Sequence, residues 1–451
     1  MDSDSFNLID VKIPFKDELI TGGVSVVNGK IEKVGKESKL IPLEKKIKCN
    51  GCILLPGLID VHVHLRGMEL SYKEDFYSGT CAAAAGGFTT VLDMPNTIPP
   101  TNSVERLREK IEKANKEIVV NVGFHAAFIK DFQEILNLRR EGAFSLKLYL
   151  ANPIVEIDVN DDETMVDSFM NCAKAGVLIT IHAEDRNRIE ELKKHYRTDD
   201  ILSIVKTRPP KVEYEAVKKM IEFSKISKAS IHFCHISSMR SIECIKKAKI
   251  EGVDVSCEVS PHHLFLDQGT IKNLEGLAFS VPPLRSKITS LMLMRALKKD
   301  EVDMVASDHA PHAFYEKINE DPKKISPGFP GLETTLPILL NEVNKGNLTL
   351  GQIVKFLAKN PAIRFGIKSK GSLEEGNDAD MILVDLKKEF KIDSSKFYSK
   401  AKYSPFNGFI GNGRVVKTFV NGVLVMDDGE IVADKGIGKI VKSDWTDEVP
   451  D

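Results

Sequence analysis

The sequence predicts an α/β protein, a (β/α)8 TIM-type barrel carrying a small β-sandwich-like domain built from both termini. Three observations predict it. From about residue 56 to residue 366, apolar β-rich runs alternate with helical patterns, the signature of βα units around a parallel sheet. Both ends of the chain carry alternating apolar and polar residues around an Asn-Gly pair. The length, 451 residues, exceeds one ordinary domain and accommodates one large barrel with an appendage. The expected division is residues 1–55 and 367–451 in the small β domain and 56–366 in the barrel.

In the first segment "GVSVVNGKIEKVG" alternates apolar residues on either side of Asn28-Gly29, a dipeptide suited to a type I′ hairpin turn. Near the other end "KTFVNGVLVMDDGEIV" repeats that logic at Asn421-Gly422, and "DADMILVDL" supplies a further strand. These strands are expected to pair with each other. Between them eight strand-like runs follow in order: "LIDVHVHL", "TTVLDMP", "IVVNVGFHA", "SLKLYLA", "VLITIHAE", "SIHFCHIS", "DVSCEVS" and "DMVASDHA". The helices between them are legible too. In "NSVERLREKIEKAN", Val104, Leu107, Ile111 and Ala114 share one face, and Asn102 with Glu105 has the spacing of a capping box. A barrel of this kind places its chemistry at the C-terminal ends of its strands, so the residue types there decide its function class.

Composition narrows that class. Sixty-three Lys and Arg stand against 65 Asp and Glu, a formal charge of −2, so no global field favours nucleic acid or an anionic membrane. The start, "MDSDSFNLIDVKIPF", is acidic and lacks the apolar run of a signal peptide, and no stretch has the length and apolarity of a membrane span. A cytoplasmic location is expected. Seven cysteines in such a chain predict reduced thiols rather than a disulfide framework. Cys49 and Cys52 have zinc-ligand spacing, but no second pair lies nearby, and two half-buried thiols flanking a turn is the better reading.

The histidines are ordered. Of eleven, only His125 and His195 fall outside five clusters, and all five clusters end proposed barrel strands: His62 with His64, His182, His232 with His235, His262 with His263, and His309 with His312. Side chains alternate along a strand, so His62 and His64 face the same way, where two imidazoles can grip one cation. Alone, such a pair is as well read as two hydrogen-bonded histidines. His182, His235 and Asp308 shift the balance, because neutral imidazoles with a carboxylate are a typical ligand set for Zn²⁺ and related ions. Residues three apart on a regular strand face opposite ways, so His235, nearer the strand end, is preferred over His232. Lys147 lies in an otherwise apolar run, "FSLKLYLA". A lysine there is costly unless it snorkels to the rim or its charge is changed, and carbamylation by CO₂ would make it an anion able to bridge two cations.

Taken together, "DVHVHLR", "DMPNT", "KLYL", "IHAED", "HFCHIS", "CEVSPHH" and "SDHAPH" resemble, in that order and over essentially the whole chain, the cyclic amidohydrolases and within them the dihydroorotases. The resemblance implies two Zn²⁺ per subunit held by His62, His64, carbamylated Lys147, His182, His235 and Asp308. It implies that Asp308 carries the proton from the attacking water to the departing ring nitrogen, and that the reverse direction closes N-carbamoyl-L-aspartate to L-dihydroorotate in pyrimidine synthesis. Arg66 follows His64 on the same strand face and Asn96 ends the next strand; each has a purely structural reading, as a salt-bridge partner or a turn residue. In dihydroorotases the matching positions bind the substrate carboxylate together with the one matched by His312, and allantoinases lack the first two. Cys234 and Glu258 resemble positions that hold an additional zinc, beside the ligand matched by His182, in some relatives.

Two departures stand out. The first motif continues as "HLRGMEL" where many members have an acid, Pro and Gly after the arginine, and "ANPIVEID" follows Lys147 where some carry a threonine-bearing loop. The Pro- and Gly-rich stretch Pro327 to Gly331 has the placement of a ligand-contacting loop, or of plain surface. A small-molecule substrate is expected, with association into homo-oligomers as in the family, and aspartate transcarbamoylase comes into view as a partner. Two rivals remain: a hydantoinase-like or allantoinase-like enzyme, and a catalytically silent barrel that serves as an assembly partner.

Overall fold

The computed structural model describes residues 5–15, 18–196 and 198–443. Residues 1–4, the acidic start used in the signal-peptide argument, lie outside them. Each of the eight runs contains a barrel strand: Leu58–Val63, Phe88–Asp93, Asn121–Phe124 continued by Ala126–Ala127, Leu146–Tyr149, Ile179–His182, Ile231–Phe233, Val255–Val259 and Met304–Val305. Neighbours pair in parallel throughout. A parallel bridge between Val63 and His309 joins the last unit to the first and closes the ring. The strands are β-branched and buried on both faces because helices cover them outside, and the main apolar core fills that layer.

Nine further strands form one hydrogen-bonded sheet drawn from both ends of the chain. Ile53–Pro56 pairs antiparallel with Met381–Lys391, which is the junction of the two ends. Asn28 (φ 49°) and Gly29 (φ 75°) connect Glu18–Val27 to Lys30–Gly35, and Asn421 (φ 49°) and Gly422 (φ 83°) connect Ile410–Val420 to Val423–Asp427. Two positive φ angles in succession are what a type I′ turn requires. This sheet encloses its own apolar cluster, including Leu8, Val24, Ile31, Leu54, Met381 and Phe419. Cys49 is buried within it and Cys52 is half-buried, on either side of a turn at Asn50-Gly51.

One helix start differs from expectation. The helix Val104–Asn115 is capped by Ser103, whose hydroxyl accepts from Arg106 N, and Asn102 lies one residue outside. Ser and Asn are nearly equal as caps, so sequence could not choose between neighbours. The turn after the first barrel strand is held by packing. At Gly67 (φ 52°) a Cβ would lie 2.7 Å from the ring of Phe76, which is itself fully buried and meets Phe124 edge to face at 6.3 Å. Phe76→Ala is expected to cost about 3–5 kcal/mol of stability. A urea midpoint unchanged from the parent's would sink that expectation.

Candidate active site

One pocket at the barrel's C-terminal end is lined by His62, His64, Lys147, His182, His235 and Asp308, and also by Arg66, Asn96 and His312. Three of these residues sit in backbone conformations that non-glycine residues rarely adopt: Arg66 (φ 59°), His235 (φ 33°) and Asp308 (φ 49°). Such strain persists only where the surrounding structure enforces it, and it clusters at functional sites. In each case the chain leaves a strand and turns sharply, which aims the side chain across the barrel mouth.

Two groups of ligand atoms face each other there. The Nε2 atoms of His62 and His64 each lie 3.4 Å from Asp308 Oδ1. Nearby, His182 Nδ1 lies 3.0 Å from His235 Nε2. The outward nitrogens are occupied: His62 Nδ1 donates to Glu258 Oε1 (2.5 Å), His64 Nδ1 to Asn96 Oδ1 (2.7 Å) and His182 Nε2 to Glu184 Oε2 (2.8 Å). An imidazole whose proton is held outward by a carboxylate or amide oxygen presents its other lone pair inward, the arrangement found around bound metals. Burial is the main reason the imidazoles of His62, His64 and His235 are held well below the usual histidine range, so they stay neutral.

Lys147 is 5% exposed, and its Nζ donates to Cys234 Sγ at 2.9 Å. Among the described residues no carboxylate pairs with it. A buried ammonium with only a thiol for a partner is poorly compensated, which a carbamate would relieve. The donor chemistry therefore fits a metal centre: neutral imidazoles, a carboxylate and a lysine without a counter-ion.

Beside that centre a second group converges. Arg66 Nε donates to Pro311 O at 3.2 Å, and Arg66 Nη2 approaches His312 Nε2 at 3.1 Å. Asn96 spends its amide oxygen on His64, which leaves its amide nitrogen as a donor at the pocket wall. Pro327 and Gly328 also line the pocket, so that loop is not plain surface.

Cys234 and Glu258 are brought together with His62, their ligand atoms within 4.8 Å of one another. Glu258 reaches His62 from the seventh strand and also accepts from His232 Nε2 at 3.0 Å. Burial pushes the Cys234 thiol up to about 12. His232 does not line the pocket; its other nitrogen, Nδ1, accepts from Ser256 Oγ (2.8 Å). His235 is the pocket residue as expected, though for a different reason: its strand ends at Phe233, and the left-handed turn redirects it. Glu184 was not singled out from sequence. The signal was present in "IHAED", an acid two residues past a strand-end histidine.

The amidohydrolase family matches residues 53–425, and the chain belongs to that family of metal-dependent hydrolases. A dihydroorotase of Pyrococcus horikoshii is 39% identical over 438 residues, covering 96% of this chain and 94% of that protein. A dihydroorotase of Methanothermobacter thermautotrophicus is 36% identical over 429 residues, covering 93% and 94%. Among solved structures, an L-hydantoinase (dihydropyrimidinase) from Arthrobacter aurescens superposes with a TM-score of 0.93 at 30% identity, covering 97% of this chain and 99% of that one. The chain is thus a hydrolase acting on cyclic amides, built on an amidohydrolase barrel. No helix among the described residues is long and apolar enough to cross a membrane.

Proposed function

We infer that this chain is a dihydroorotase, which opens L-dihydroorotate to N-carbamoyl-L-aspartate and, in pyrimidine synthesis, closes it with loss of water. The observation that carries the choice of ring is the convergence of Arg66 and His312, 3.1 Å apart, beside Asn96 and next to the histidine cluster. A guanidinium, an imidazole and an amide around one point make a carboxylate site, and dihydroorotate is the cyclic amide that bears a ring carboxylate. The dihydroorotase relatives support the same choice.

In this reading His62, His64, His182, His235, Asp308 and a carbamylated Lys147 would together hold two zinc ions. Cys234 and Glu258 are proposed as ligands that an additional ion would take in exchange for the hydrogen bond from His62 to Glu258. When bound, zinc lowers the pKa of water and polarises the scissile carbonyl. Arg66, Asn96 and His312 fix the ring by its carboxylate, so that the amide carbonyl faces the cluster. Asp308, with burial raising its carboxyl to about 6, is placed to take a proton from the attacking water and hand it to the leaving ring nitrogen. Glu258, Asn96 and Glu184 keep three histidines in the required tautomers. The chain is proposed to act in the cytoplasm as a homo-oligomer, with aspartate transcarbamoylase as the partner to test.

The test is absorbance of the ring amide after adding L-dihydroorotate to zinc-loaded protein. Ring opening is expected; inactivity on it with hydantoin or allantoin opened instead would replace the substrate assignment. Inactivity on all three would favour a silent assembly partner. Metal analysis provides a separate check. Two zinc ions per chain are expected in the parent, and Lys147→Ala is expected to retain markedly less. Equal zinc in both proteins would remove the bridging role.

A further inference from the structure

His312 has a neighbour for each ring nitrogen on both sides of a choice. Lys73 Nζ lies 3.3 Å from Nδ1, and Pro327 O lies 3.0 Å from Nε2. Arg66 Nη2 lies 3.1 Å from Nε2, and Glu316 Oε2 lies 3.5 Å from Nδ1. A neutral imidazole carries one proton, so only two of these four contacts can be hydrogen bonds at once. With the proton on Nδ1, Nε2 accepts from Arg66, and Nδ1 must reach Glu316 across the longest of the four distances while facing an ammonium that can only donate. With the proton on Nε2, Nδ1 accepts from Lys73 and Nε2 donates to Pro327. Burial, helped by Arg66, holds the ring well below the usual histidine range, at about 3, so the doubly protonated form does not compete.

The surroundings of Lys73 favour the second arrangement. Glu316 Oε1 pairs with Lys73 Nζ at 2.9 Å and accepts from Tyr72 OH at 3.0 Å, while Oε2 accepts from Ala313 N at 3.0 Å. The lysine is thereby held against His312 with its side chain 11% exposed. The main chain that carries the ring is fixed as well: Tyr403 OH accepts from His312 N (3.2 Å) and donates to His312 O (3.1 Å). In this tautomer Nε2–H and Arg66 Nη2, 3.1 Å apart, are adjacent donors, and an anion is the ligand that satisfies both.

We propose that Lys73 is a positioning residue that commits His312 to the tautomer protonated on Nε2, so that His312 and Arg66 together present donors to the ring carboxylate of the substrate. This rests on the dihydroorotase reading of the pocket. The carboxylate displaces Pro327 O as the acceptor and draws Arg66 off the imidazole; no covalent step is involved.

Two measurements test it on the zinc-loaded protein. Long-range ¹H–¹⁵N spectra of histidine-labelled protein, with His312 assigned by comparison with His312→Gln, report which ring nitrogen carries the proton. The expected result is Nε2–H in the parent, lost or mixed with Nδ1–H in Lys73→Met and recovered in Lys73→Arg. In parallel, Lys73→Met is expected to raise KM for L-dihydroorotate about tenfold, with a smaller fall in kcat and substantial rescue in Lys73→Arg. A parent His312 protonated on Nδ1, or a KM unmoved by Lys73→Met, overturns the proposal. If the parent does not turn over dihydroorotate, it is the functional reading that fails, and the parent's tautomer alone then decides the role of Lys73.

Discussion

Replacing Asp308 with asparagine is expected to lower kcat for L-dihydroorotate by about 10²–10⁴-fold, the range over which a positioned acid or base contributes. The amide keeps the size of the side chain but cannot shuttle a proton. Its distances to His62 and His64 Nε2, both 3.4 Å in the parent, make it a ligand candidate too, so zinc content is measured alongside. Lost turnover with zinc retained isolates the proton transfer. Lost turnover with zinc lost points to ligation, and a variant that keeps the parent's kcat would remove Asp308 from the chemistry.

The second large effect is expected at Arg66. Arg66→Met should lower kcat/KM for L-dihydroorotate by about 10–100-fold, because a hydrogen bond between charged groups in a desolvated site is lost. The ratio of kcat/KM for dihydroorotate over dihydrouracil, which lacks the carboxylate, should fall by a similar factor. Arg66→Lys should recover little of it, since an ammonium cannot reproduce the two-pronged geometry of the guanidinium. Preference between the two rings left as in the parent would mean that the carboxylate is held elsewhere.

Much of this architecture was legible because it depends on local rules. The two Asn-Gly hairpins follow from backbone preferences of those residues alone. The eight strand-like runs follow from burial on both faces; His62 lies on its strand, while His64, just past its end at Val63, is held by a hydrogen bond from its N–H to His309 O. What sequence could not supply depends on where strands stop and on contacts between distant segments. Strand parity does not orient His235, because the strand ends two residues earlier and a left-handed turn sets the direction. Glu258 meets His62 because the barrel brings its first and seventh strands to one mouth, a contact between segments 196 residues apart. The hold of Tyr403 on His312 comes from a segment of the β domain that crosses to the barrel mouth, and nothing in "AKYSPF" announces it.

The sheet shared by the two ends of the chain has a consequence for how the protein is made. Ile53–Pro56, the strand that leads directly into the first barrel strand, pairs with Met381–Val384, which emerges from the ribosome only after all eight barrel strands have been synthesised. Contacts so far apart in sequence close late and slowly. A nascent chain therefore carries that strand edge unpaired, a few residues before His62 and His64, until Met381–Val384 is made. That edge is covered only when the C-terminal strands arrive, so the order of synthesis makes the joining of the two ends the last step of building the sheet.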